Sequence, residues 1–198
     1  MTPEDFIAKI KIDPIEVILD EVLLSDDAMH VTVGQRDFIK KTLSERFGVS
    51  LEQIDLIIVG SAKLGFSISE KKQKGFPALP RYRLFSPNSD VDIAIISKPI
   101  FEIMWNELSI YSFGMPYYPW VSNKFGDYLV CGWMRPDHFP KHVRLRKCDE
   151  WWDTFRFLSS RNILGRRRIR AGLFYNMEQL KTYQSKALID CINFEKLK

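Results

Sequence analysis

Apolar residues recur along the chain at two periods. Between positions 32 and 47, Ile39, Leu43 and Phe47 return every fourth residue, the spacing of one helix face. Thr32 with Gln35 three residues on is a capping-box pattern, and Gly48 follows as a stop signal. A helix is therefore predicted over 32–47. Asp13-Pro14 reads as an N-cap followed by the first helical residue, so another helix is expected over 14–24. Two short runs are almost continuously apolar, 54–59 (IDLIIV) and 91–96 (VDIAII). Both predict strands, the first of them buried. A short helix is expected to open over 61–69. The stretch 70–89 scatters Pro77, Pro80 and Pro87 among Lys71, Lys72, Lys74, Arg81 and Arg83 and reads as a long basic loop. Further helices are expected over 99–111, over most of the chain from 149 with Gly165 or Gly172 as breaks, and over 177–197. A third strand is expected at 128–131 (YLVC).

These elements predict an α/β (α+β) protein, a mixed sheet backed by helices in one compact domain. An N-terminal helical segment (1–50) would pack on a core (51–140), followed by a basic C-terminal helical segment (141–198). Of the 198 residues, 45% are hydrophobic and 27% charged, which excludes disorder as the main state. The three cysteines form no CxxC pair, so a disulfide scaffold is excluded and a reducing compartment fits. No run nears the roughly 18 consecutive apolar residues of a membrane span. The first thirteen residues contain Glu4, Asp5 and Asp13 and lack the apolar stretch of a signal peptide. The expectation is a soluble cytoplasmic protein without membrane partners.

Charge is unevenly spread. Positions 141–170 hold ten Lys and Arg against three acidic residues, a local +7 within an overall +4. Arg166, Arg167, Arg168 and Arg170 read either as a solvated helix face or as contacts to a phosphate-rich partner such as RNA. Trp151, Trp152, Phe155 and Phe157, at near-helical spacing, read as a core stripe or as a base-stacking platform. His30, His138 and His142 lack the spacing of a zinc set, and no cysteine has a partner for nucleophilic catalysis.

The chemistry concentrates around the two strands. The first ends in Gly60-Ser61-Ala62-Lys63-Leu64-Gly65-Phe66-Ser67, and the second begins with Ser89-Asp90-Val91-Asp92. Gly60 permits close approach of a phosphate to the backbone, and Ser61 adds a hydroxyl donor. The plainer reading of Gly60-Ser61 is a strand-ending turn. Asp90 and Asp92, one residue apart on a strand, share a face. Adjacent carboxylates facing a phosphate site are what Mg²⁺ requires. The plainer reading makes them a loop-edge and a capping residue. Ser89 is expected to cap a local turn that orients Asp90. Lys63 is expected as a solvated helix lysine, with phosphate contact as the alternative.

The combination GSxxxG[ST]…SDxD, formed by Gly60, Ser61, Gly65, Ser67, Ser89, Asp90 and Asp92, resembles the DNA-polymerase-β-type nucleotidyltransferase superfamily. It looks like the poly(A)-polymerase, oligoadenylate-synthase and minimal-nucleotidyltransferase branches, and covers about 54–96. The resemblance implies a nucleotidyltransferase-like fold that moves a nucleoside monophosphate from an NTP, such as ATP, to an acceptor hydroxyl. It implies Gly60, Ser61 and Ser67 at the triphosphate and Asp90 and Asp92 on Mg²⁺ or Mn²⁺. It also implies a third catalytic acid on a following strand, for which Asp127 is the candidate. RNA, a protein or a small molecule could accept, and by analogy such enzymes serve toxin–antitoxin or phage-defence pairs. The alternative is a degenerate nucleotidyltransferase fold acting as a nucleotide-, RNA- or partner-binding subunit. A weaker reading is a structural subunit with aromatic contacts to a protein partner.

Overall fold

Side chains alternate across the two central strands, and both faces find a cover. In the computed structural model, which describes residues 1–113, 124–136, 139 and 145–197, strand β1 (Asp55–Val59) pairs antiparallel with β4 (Val91–Ile96). Leu56 and Ile58 of β1, with Val91, Ile93 and Ile95 of β4, enter one core. Ile57, Ala94 and Ile96 enter another on the opposite side. Each fully buried Ile contributes roughly 1.5–3 kcal/mol, so the continuous apolar run is what a two-sided strand needs.

Helices α3 (Val33–Phe47), α5 (Lys98–Phe113) and α7 (Arg146–Ser160) cover the first face. The second is covered by α1 (Pro3–Ile12), α2 (Ile15–Ile18) and α8 (Met177–Lys196). The capping box of α3 forms as predicted, Thr32 and Gln35 bonding reciprocally, and Gly48 ends the helix at φ +67°. The N-terminal helix differs from expectation. Asp13 closes α1 rather than opening the next helix, and it pairs with Lys9 at 2.6 Å. Helix α2 follows Pro14 and runs on as a π-helical turn over Leu19–Leu23.

Three expectations fail for local reasons. The 70–89 stretch is not all loop: β2 (Lys71–Gln73) and β3 (Phe76–Leu79) form an exposed hairpin turning at Gly75, φ +80°. The expected strand at 128–131 falls within and just after helix α6 (Lys124–Val130), since a short apolar run cannot by itself separate the two conformations. The expected C-terminal helical segment contains a strand, β6 (Ile169–Phe174), at the centre of the main sheet. The sheet order is β1-β4-β6-β5, with β6 parallel to β4 and antiparallel to β5 (Trp133–Met134). Gly172 is therefore inside a strand and not a helix break. The fold is mixed α/β, with a four-stranded mixed sheet and a two-stranded one. Among the described residues no helix is long and apolar enough to cross a membrane. His138 and His142 lie outside the described residues.

Candidate functional site

Val59 of β1 is the register partner of Asp92, and Arg170 of β6 faces Asp92 from the other side. Paired residues on neighbouring strands share a face, and Asp90, two residues before Asp92, falls on that same side. The face belongs to the second core farther along, at Ala94 and Ile96. At the start of β4 it opens instead into a cleft of about 600 Å³. Gly60, Ser61, Asp90, Asp92, Arg135 and Arg170 line it.

Gly60 adopts φ +66° and ψ −147°, a region that only glycine occupies at low cost. A Cβ there would lie 3.2 Å from Asp92 Oδ2, so the turn sits directly against the carboxylate. Gly60 is followed by one turn of helix, α4 (Ser61–Leu64). Ser89 Oγ accepts from the Ser86 amide at 3.0 Å, the local cap expected of it, and delivers Asp90 to the rim.

The two carboxylates differ electrostatically. Asp90 Oδ2 meets Arg170 Nε at 2.7 Å. That N–H is not aligned on the oxygen and has no hydrogen-bond acceptor, so the contact is an ion pair and not a directed bond. Asp92 makes no hydrogen bond or ion pair among the described residues. Burial raises its pKa above the ordinary Asp value, and the neighbouring Asp90 raises it further, against the opposing fields of Arg170, Arg135 and Lys71. A desolvated carboxylate beside a second one is a pair of hard oxygen donors that a divalent cation would satisfy.

Other expected residues fare differently. Ser67 lines the cleft, but its hydroxyl donates to Ser69 O at 3.0 Å. Lys63 is neither solvated nor turned to a phosphate. It is 6% exposed, and its ammonium is held by Ser25 O, Ser25 Oγ and Asp27 O. Asp127 sits exposed on α6 and is absent from the cleft lining. Among the described residues no three His, Cys, Asp or Glu side chains cluster as a metal site. The four arginines do not form one face. Arg166 is exposed at φ +58°, Arg167 lies 4.9 Å over the Phe85 ring, Arg168 is exposed, and Arg170 enters the cleft.

Sequence reasoning missed the aromatic part of the lining. Trp133, Phe174 and Tyr183 also line the cleft, with the Trp133 ring 6.0 Å from Phe174 and 4.7 Å from Tyr183. They come from β5, β6 and α8, so no local spacing links them. Arg170 was visible only as part of a basic run. Its signal was the alternation of Ile169, Ala171 and Leu173 on one face, with Arg170 and Phe174 on the other.

The chain matches no protein-family model, no curated protein and no solved structure.

Proposed function

We propose that this chain is a metal-dependent nucleotidyltransferase that binds an NTP in the cleft and moves a nucleoside monophosphate to an acceptor hydroxyl. The observation that carries the reading is the close packing of Gly60 on Asp92, with Asp90 on the same face. It brings the Gly60-Ser61 turn and two carboxylates to one mouth. The donor set fits a hard divalent cation: two carboxylate oxygens from the protein, leaving phosphates and water to complete six positions. Asp90 and Asp92 would hold Mg²⁺ or Mn²⁺, which supplies charge neutralisation at the reacting phosphate. Ser61 and the Gly60 turn would donate to the triphosphate. Arg170 and Arg135 would balance its charge, and the exposed Tyr183, backed by the buried Trp133 and Phe174, would offer a ring to the base.

One observation favours a second reading. On β6, the strand beside β4, the residue facing Asp92 is Arg170 and not an acid. With Asp127 outside the cleft, the resemblance lacks its third carboxylate among the described residues. A nucleotide-, RNA- or partner-binding subunit that does not transfer would have this composition.

Incubation with labelled NTPs, Mg²⁺ or Mn²⁺ and total RNA or protein tests both. Transfer predicts incorporation that vanishes in Asp90→Ala and Asp92→Ala. Binding without transfer predicts ligand stabilisation, about 2.7 kcal/mol at a hundredfold excess over Kd, with no incorporation. Neither effect with any of the four NTPs rejects both readings.

A further inference from the structure

Resting on the reading of the cleft as a nucleotide site, we propose that the β2–β3 hairpin is the docking arm for the acceptor, and that the acceptor is a single-stranded nucleic acid. The hairpin belongs to no larger sheet. Every residue from Lys71 to Ala78 is exposed, and Leu79 is half-buried. The arm stands beside the cleft, whose lining includes Lys71, Leu79 and Leu84.

Its charge is one-sided. Positions 71–89 hold five Lys and Arg and no acidic residue. The five divide by role. Arg81 donates to Ile68 O at 2.5 Å, and Arg83 donates to Ser69 O at 2.9 Å and to Pro80 O at 2.8 Å. Tyr82 between them, at φ +60°, donates its hydroxyl to Glu195 of α8 at 2.9 Å. These bonds fix the base of the hairpin to the body. Lys71, Lys72 and Lys74 take no part in that work. None of their ammonium groups enters an ion pair or hydrogen bond among the described residues. Three uncommitted cations on a two-stranded arm attract a polyanion.

Lysine and proline on an exposed edge have a plainer use, since both discourage pairing with another chain. That use does not explain Phe76. Its ring is 74% exposed just past the turn, opposite Gln73 in the register. An edge built only against aggregation would carry no large apolar group there. A bare aromatic ring among cations is the arrangement that stacks an unpaired base and neutralises its phosphate. A duplex keeps its bases inside the stack and would leave Phe76 without a partner. One ring is too little apolar surface to hold a membrane.

Position connects the arm to the chemistry. Phe76 at the tip does not line the cleft, whereas Lys71 and Leu79, paired at the foot, do. A strand held from tip to foot therefore delivers its end to the cleft that Asp90 and Asp92 line. There the terminal hydroxyl oxygen bonds to the α-phosphorus of the NTP. The bond from that phosphorus to the oxygen bridging the β-phosphate breaks. Pyrophosphate leaves, and the hydroxyl proton passes to solvent.

Fluorescence anisotropy with labelled single-stranded RNA, single-stranded DNA and a duplex of matching sequence tests the assignment on the full chain. Single strands should bind more tightly than the duplex, and the RNA and DNA arms identify which sugar is preferred. Phe76→Ala should weaken single-strand binding by roughly five- to a hundredfold, and Phe76→Tyr should restore most of it. Lys72→Glu combined with Lys74→Glu should weaken binding and reduce the log–log salt slope by about 0.7 per lost phosphate contact. Lys41→Glu, an exposed charge on α3, should change neither. Vesicles containing phosphatidylserine should not bind. Absence of single-strand binding at low salt overturns the proposal. So does tighter binding of the duplex, unchanged binding in both hairpin variants, or capture by the vesicles in place of the oligonucleotide. Thermal stabilisation by Mg²⁺ and NTP is read on the same proteins. Its retention in hairpin variants that have lost oligonucleotide binding supports an arm separate from the nucleotide site. Its absence in the wild type overturns the cleft reading, and with it the acceptor role of the hairpin.

Discussion

Gly60 and Asp92 are in contact across the β1–β4 pair: a Cβ on Gly60 would stand 3.2 Å from the Asp92 carboxylate oxygen. The turn that ends one strand and the acid on the next are therefore one structural unit. A side chain at Gly60 would both strain this backbone and press on the Asp92 carboxylate.

Gly60→Ala should lower stability by about 1–3 kcal/mol, the cost of forcing a side chain into this backbone region. Urea unfolding measures it. The same variant should lose most of the stabilisation by Mg²⁺ and NTP. Full retention of that response would show that the turn and the carboxylate act independently.

Asp92→Asn should stabilise the metal-free protein at neutral pH. The Asp92 pKa is raised in the folded state by burial and by Asp90. Between the unfolded and folded pKa values the folded state binds more protons, so wild-type stability falls as pH rises through that window. Above it the buried charge is a constant cost that Asn removes. The Tm difference between variant and wild type, measured with a chelator present, should grow as the pH rises above the ordinary Asp value and level off once Asp92 is ionised in the folded state. It should close as the pH falls below the ordinary Asp value. A difference independent of pH would place the effect in packing.

Arg170→Ala should act with opposite sign on the two ligands. Removing the cation 2.7 Å from Asp90 should tighten binding of Mn²⁺ alone by several-fold. It should weaken binding of the nucleotide by roughly tenfold, the loss of about one charge-assisted contact. Titration calorimetry with Mn²⁺, then with NTP, distinguishes this from a general loss of structure, which would weaken both.

Lys63→Met should destabilise the fold by about 1–3 kcal/mol, because the carbonyls of Ser25 and Asp27 lose their shared donor in a buried setting. Burial lowers the Lys63 pKa, so its folded state gives up a proton before the unfolded chain does. The cost of the buried charge is present below the folded pKa and is relieved as pH rises toward the ordinary lysine value. Denaturation midpoints of the two proteins at neutral and alkaline pH check both statements.

Local sequence carried a good part of the architecture. The capping residues Thr32, Gln35 and Gly48 act within a few positions of the helix they bound, so their pattern and their structure coincide. The runs at 54–59 and 91–96 are apolar on both faces because both faces are covered. The one-residue spacing of Asp90 and Asp92 implies a shared face wherever that stretch is extended. Local pattern misled where an element is short or flanked by charge. Tyr128 and Leu129 lie in a helix, and Ile169–Phe174 is a central strand despite its Arg-rich approach.

By itself the sequence determined which residues could do chemistry together at short range: the Gly60-Ser61 turn, the Asp90 and Asp92 pair, and the two strands that carry them. Tertiary structure alone decided what surrounds that pair. It set Arg170 against Asp90 from a strand some eighty residues away, left Asp127 outside the cleft and gathered Trp133, Phe174 and Tyr183 into the cleft that the carboxylates line. It also buried Trp151 while leaving Trp152 exposed. The reason is physical. Periodicity and capping arise from neighbours within one or two turns of chain, which a sequence displays in order. Facing across a sheet depends on strand order and register, which are set by how whole elements bury their apolar faces.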